Sequence, residues 1–304
     1  MTHGDGLVAS ALQNHAQRAN LGYPDPNPYF AAGRRIAQGM PLALSIDNFL
    51  DAHRGDSAIE LCGKVAIVRA ILNAERSSTL YTDVNRPSDL VRQESISDTW
   101  FNKFWKLVTE GCSFEQLLER AKTISFIVFN YDRCIEHFIV NAAQSYYGVN
   151  ISEASRLGAA ISFYHPYGSI APLPWMSQPN SVAYGAEASE PLLLACAQQL
   201  KTFTEAVDHN SASISGLRNC LGRADRVVFL GFAFHRQNLK LMWPEQRPEA
   251  NRPHFIGTAH GISADDLHLI SSEIATLTSP QTQTYRDLFC NQLFHQFWRG
   301  LSMN

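Results

Sequence analysis

Over residues 1–122 apolar positions recur at three- and four-residue spacing, the period of a helix that buries one face. The clearest stretch runs from Ser57 to Glu75, where Ile59, Val65, Val68, Ile71 and Leu72 fall on one side. Ser45 stands where it would cap a helix carrying Ile46, Phe49 and Leu50. Trp100, Phe104 and Leu107, then Phe114, Leu117 and Leu118, mark two shorter helices. The alternating prolines of Gly22-Tyr23-Pro24-Asp25-Pro26-Asn27-Pro28 predict a rigid loop, and the polar stretch from Asp83 to Ser97, broken by Pro87, predicts another.

At Thr123 the pattern changes. Short, β-branched and aromatic runs appear at 124–129, 161–164, 227–230 and 254–257, too short for buried helices and bounded by turn residues. Helical stretches separate or follow them, from about Asp132 to Tyr147, Ser152 to Leu157, Leu192 to Val207 and Ser213 to Arg223. Two more, from Ser263 to Ala275 and from Thr284 to Arg299, close the chain. Strands alternating with helices predict an α/β fold with a Rossmann-like parallel sheet and a helical N-terminal layer. The expected organisation is one domain over 1–304: a helical layer at 1–122, an α/β core at 123–262 and C-terminal helices at 263–304.

Composition narrows the function classes. With 45% hydrophobic and 17% charged residues the 304-residue chain can bury a sizeable core. A formal charge of −3 gives no whole-chain footprint for nucleic acid or an anionic membrane. No apolar run is long enough for a membrane helix, and Met1-Thr2-His3-Gly4-Asp5-Gly6 has neither the basic start nor the apolar stretch of a signal peptide. A cytoplasmic protein is expected. The six cysteines, at 62, 112, 134, 196, 220 and 290, form no CxxC pair, so no metal is expected and the thiols are read as reduced.

Familiar nucleotide and hydrolase signatures do not occur. Gly63-Lys64 lacks the rest of a P-loop, and Gly4-Asp5-Gly6-Leu7-Val8-Ala9 has no room for a strand before it. Neither G-x-S-x-G nor H-E-x-x-H is found. The chemistry-bearing residues cluster instead where the strands end. These clusters are Asn130-Tyr131-Asp132, His165-Pro166-Tyr167-Gly168-Ser169, Gly231 to His235 with Asn238 beyond, and Gly257 to Gly261. In an open parallel sheet the carboxyl ends of the strands are where ligands bind. Each group also has a plain structural reading. Asn130 and Asp132 fit helix caps, His165 a turn residue, Gly231 and Gly257 turn glycines, and His235 and His260 surface groups.

These elements resemble those of sirtuins. Phe129-Asn130-Tyr131-Asp132 is similar to their Q-N-x-D element, His165 to Ser169 to their H-G-S element with two residues inserted, and Val228 to Phe232 to the strand and turn of their NAD site. The fuller resemblance is to bacterial sirtuin-like proteins associated with NAD depletion in antiphage defence. It rests on Ser45 to Leu50, Phe129 to Glu136, His165 to Ser169, Leu230 to Leu239 and Gly257 to Gly261, and spans about residues 40–275. The strand and G-A-G-A-S turn that cradle the pyrophosphate in that family do not precede the helical block, and the four-cysteine zinc module of the deacylating members is missing.

The resemblance implies NAD as substrate or ligand, no metal, and cleavage to nicotinamide and ADP-ribose. It implies His165 as general base and Asn130 as the group that positions water and the ribose hydroxyls. Asp132 would hold the carboxamide, Gly168 and Ser169 would lie at the NAD, and Gly231, Phe232 and Asn238 would lie at the ribose. It leaves room for a homo-oligomer or a fused or associated defence partner. A second function class, a non-catalytic nucleotide-sensing or interaction module with an incomplete phosphate site, fits the same residues.

Overall fold

The computed structural model describes residues 5–19, 25–83, 86, 90–201, 212–243 and 252–302. Four helices come first: α1 (Gly6–Ala19), α2 (Asn27–Gly39), α3 (Ile46–Ala52) and α4 (Ser57–Ser77). Local chemistry sets their starts. The Ser45 hydroxyl accepts the Asn48 N–H at 3.1 Å, and Asp56 Oδ1 accepts those of Ala58 and Ile59, both at 3.1 Å. α5 (Trp100–Thr109) and α6 (Phe114–Ala121) complete the helical block, the latter opened by a capping box between Ser113 and Gln116.

The expected loop over 22–28 ends earlier than its prolines suggest. Residues 22–24 lie outside the described residues, but α2 already begins at Asn27, with Pro28 in its first turn. A proline there removes an N–H that has no intrahelical partner anyway. The expected loop from Asp83 to Ser97 holds a 3₁₀ turn at Gln93–Ile96, while Pro87 and its neighbours at 84–85 and 88–89 lie outside the described residues.

The α/β half follows. β1 (Ser125–Ile127) leads to α7 (Cys134–Tyr147), α8 (Ile151–Ala160) and β2 (Ser162–Tyr164). After a long loop come α9 (Glu190–Ala197), α10 (Ala212–Arg223), β3 (Arg226–Phe229), α11 (Arg236–Met242) and β4 (His254–Thr258). α12 (Ala264–Thr278), β5 (Thr282–Arg286), α13 (Cys290–Gln296) and α14 (Trp298–Leu301) finish it. The helix expected over Leu192–Val207 is α9, and 202–207 lie outside the described residues.

Two expectations are corrected. All strand pairs are parallel, as the alternation of strands and helices predicts, but the single expected sheet is two: β1 beside β2, and β3-β4-β5 in that order. The stretch beginning at Thr284, read as helical and assigned to a purely helical C-terminal segment 263–304, contains β5. Its Thr-Gln-Thr-Tyr-Arg sequence gives little local signal. Pairing in register with β4, from His254 opposite Thr282 to Thr258 opposite Arg286, decides its conformation and buries Tyr285.

The two sheets share covers on both faces. On one face Phe104 of α5 meets Phe126 of β1, ring centroids 5.3 Å apart, and also Phe294 of α13 at 6.4 Å; α5 and α13 pack over Val228, Leu230 and Ile256. On the other face Ile127, Phe129, Val227, Phe229 and Phe255 join one core with α4, α9 and α12. Period-two alternation of side chains along each strand produces this split. Among the described residues, β1 and β3 are not paired with each other. No helix among the described residues is long and apolar enough to cross a membrane.

Candidate functional site

β1 and β2 pair in register, Ser125 with Ser162 and Ile127 with Tyr164, so the residues just beyond them emerge side by side. His165 follows β2 directly, and its Nδ1 lies 3.4 Å from the Asn130 carbonyl oxygen. Its Nε2 is 2.6 Å from Oε1 of Glu136, on the first turn of α7. The Glu136 side chain is only 3% exposed and that of His165 13%, so water screens the pair little. Burial alone would depress the imidazole. The hydrogen bond to Glu136 and its charge, helped by the Asn130 carbonyl and Asp132, outweigh that and hold His165 above the ordinary histidine value of 6.5. Both ring nitrogens face acceptors, Nε2 the Glu136 carboxylate and Nδ1 the Asn130 carbonyl oxygen, so in the neutral form with Nε2–H on Glu136 it is Nδ1 that takes up a proton, and the Asn130 carbonyl then accepts it.

The pair borders a cavity of about 530 Å³ between α8, the end of β2 and the loop that follows it. Phe163, Trp175 and Met176 give it an apolar, aromatic side; Ser155, Arg156 and Ser169 give it a polar one. The loop is fixed from behind by Arg133, whose side chain is 1% exposed. Its guanidinium donates to both carboxylate oxygens of Glu75, at 3.0 and 2.6 Å, and to the carbonyls of Ala171, Val182 and Ala183.

The expected site residues separate into two groups, and a turn explains why. The Gly168 N–H donates to the His165 carbonyl at 3.0 Å, closing a β-turn with Pro166 second and Gly168 last at φ +78°. This turn sends His165 and Ser169 to the cavity and Tyr167 into the core. A Cβ on Gly168 would stand 2.6 Å from the Gln199 carbonyl oxygen, so the close passage of that segment also requires glycine.

Tyr167 donates to Asn238 Oδ1 at 2.7 Å, which places Asn238 in a buried contact away from the cavity wall. Gly231, at φ +59°, donates its N–H to Thr258 Oγ1, and Phe232 packs against Phe129 at 5.2 Å. Neither lines the cavity. Asp132 Oδ1 accepts the Cys134 N–H at 3.1 Å in the turn that leads into α7, whose N-cap is Arg133. The Asn130 side chain is exposed. His235 is exposed at the start of α11, and exposed His260 pairs with Asp287 at 2.8 Å.

Comparison with protein-family models, curated proteins and solved structures finds no match to this chain. The site therefore stands on its own geometry. Sequence reasoning gave Glu136 no role beyond closing the Phe129–Glu136 element, and did not pick out Arg156 or Trp175. Glu136 carried a signal, since it closes the Phe129–Glu136 element on which the resemblance rests, and it stands in the first turn of α7. Trp175 and Arg156 carried none; only the packing of α8 against the loop brings them to His165. Among the described residues, no group of three or more His, Cys, Asp or Glu side chains could hold a metal ion.

Proposed function

We propose that this chain binds NAD in a Rossmann-like, sirtuin-type arrangement and hydrolyses its nicotinamide–ribose bond, in the antiphage-defence setting that the sequence resemblance implies. The observation that carries the reading is the His165–Glu136 pair at the mouth of a cavity large enough for a nicotinamide ring and ribose. The bond from C1′ to the pyridinium nitrogen breaks with its electron pair leaving on nicotinamide, and positive charge develops on the ribose. A water oxygen then bonds to C1′, and its proton passes to His165 Nδ1. Glu136 orients the ring and stabilises the imidazolium, which is the role of a carboxylate behind a catalytic histidine. Asn130, whose main-chain carbonyl faces His165 and whose side chain is exposed, orients the water in this reading.

The assay is nicotinamide release from NAD. His165→Ala is expected to lower turnover by about 10²–10⁴-fold, and Asn130→Ala by a comparable factor. Because the base must be unprotonated, activity should rise with pH through a limb above 6.5, in the direction of the His165 shift. Glu136→Gln should move that limb down. Full activity in His165→Ala would refute the base assignment. NAD binding without hydrolysis under any activator would favour the nucleotide-sensing module instead.

A further inference from the structure

Asn130 and Asp132, which both act on His165, stand on either side of Tyr131, and Tyr131 is gripped at both ends. Its hydroxyl donates to Asp47 Oδ1 at 2.6 Å, in the first turn of α3, and also lies 3.1 Å from the Lys201 carbonyl oxygen. Its main-chain carbonyl accepts the Ile170 N–H at 3.3 Å, just past the turn that carries His165. Tyr131 is buried and Asp47 partly so, and a short hydrogen bond to a carboxylate is among the stronger kinds. The support beneath Asp47 is stiff. Ser45 caps α3, and Phe49 and Leu50 anchor it in the core. A Cβ on Gly39 of α2 would overlap the Phe49 ring, and one on Gly63 of α4 the Leu50 side chain, so α3 sits directly on two helix backbones.

We propose that Asp47 is a positioning residue for His165: through the Tyr131 hydroxyl it fixes residues 130–132 so that the Asn130 carbonyl faces Nδ1. Asp47 acts through Tyr131 and not by its own charge, since the groups that act on His165 directly are Glu136, the Asn130 carbonyl and Asp132. Glu136 comes from α7; the other two come from the segment that Tyr131 holds. The cations lining the same cavity have other partners, Arg133 pairing with Glu75 and Arg156 with Glu115. Releasing the tyrosine lets the Asn130 carbonyl and Asp132 withdraw, so the imidazolium loses part of its support while the Glu136 bond remains.

The test is a pH titration of the histidine resonances of the full chain by NMR, with that of His165 assigned by its loss in His165→Ala. Tyr131→Phe removes the hydroxyl alone and is expected to lower the His165 midpoint by about 0.5–1 pH unit, one hydrogen bond read as proton affinity. Asp47→Ala should lower it too, and no further, because the Lys201 carbonyl still receives the hydroxyl. Asp47→Asn loses the charge but keeps an oxygen that can accept from Tyr131, so its midpoint should stay near the wild-type value. An unmoved midpoint in Tyr131→Phe or Asp47→Ala would overturn the proposal. So would a midpoint as low in Asp47→Asn as in Asp47→Ala, since charge rather than position would then be the cause. If Asp47→Ala fails to fold, Tyr131→Phe and Asp47→Asn decide the matter between them. The inference rests on the reading of His165 as the base and deepens it, but its readout needs no NAD. The expected midpoints in a chain that does not cleave NAD would refute the hydrolase reading and leave this one standing. Cleavage that depends on His165, with unmoved midpoints, would do the reverse.

Discussion

Replacing Arg133 by methionine tests whether the wall of the cavity is held by a buried charge pair. Arg133 and Glu75 are each 1% exposed, so neither charge has water as an alternative partner. Arg133→Met would leave the Glu75 carboxylate with the Gly185 N–H, at 2.9 Å, as its remaining hydrogen bond from that loop. It would also strip donors from the carbonyls of Ala171, Val182 and Ala183. Breaking one side of a buried pair costs about 3–5 kcal/mol, a large part of the roughly 5–15 kcal/mol that folds a domain. Removing both charges leaves no stranded ion, so Arg133→Met with Glu75→Met should cost less than the two single changes summed, by about 2 kcal/mol or more. Urea unfolding followed by tryptophan fluorescence measures all four corners of the cycle. A loss below about 1 kcal/mol in Arg133→Met, or a cycle additive within about 0.5 kcal/mol, would show that the pair is not what holds the 171–185 loop.

Two further outcomes follow from single positions. Burial of His137 against Tyr184 lowers its pKa to about 4, so it stays neutral in the fold while the unfolded chain takes up a proton near 6.5; stability is therefore lost as pH falls from 6.5 towards 4, by about 3 kcal/mol in total. His137→Gln should flatten that part of the stability–pH curve, and an unchanged curve would refute the assignment. Gly168→Ala meets both a left-handed backbone and the Gln199 carbonyl, so it should destabilise by about 2–3 kcal/mol in urea unfolding; a neutral effect would show that the 199–201 segment is free to move away.

Much of the local structure was legible in the sequence because its causes are local. Ser45 caps α3 as its position predicted, the helical stretch read from Ser263 starts on that residue's own cap, and apolar spacing marked α4 through most of its length. The β-branched and aromatic runs at 124–129, 161–164, 227–230 and 254–257 hold strands, all parallel, and the main-chain carbonyl of Asn130 lies by His165 because register places the ends of β1 and β2 side by side, although Asn130 is not among the residues that line the cavity. The tertiary structure alone decided the rest. β5 exists because β4 offers it a parallel edge, a contact invisible to periodicity. A single β-turn at Gly168 sends Tyr167 and Ser169 to opposite sides, so five consecutive residues that read as one motif serve two places. Glu136 and Trp175 stand almost forty residues apart in sequence and meet at one cavity only through the docking of α8 and its loop, since the burial and pairing that give them chemistry depend on which surfaces the whole chain brings into contact.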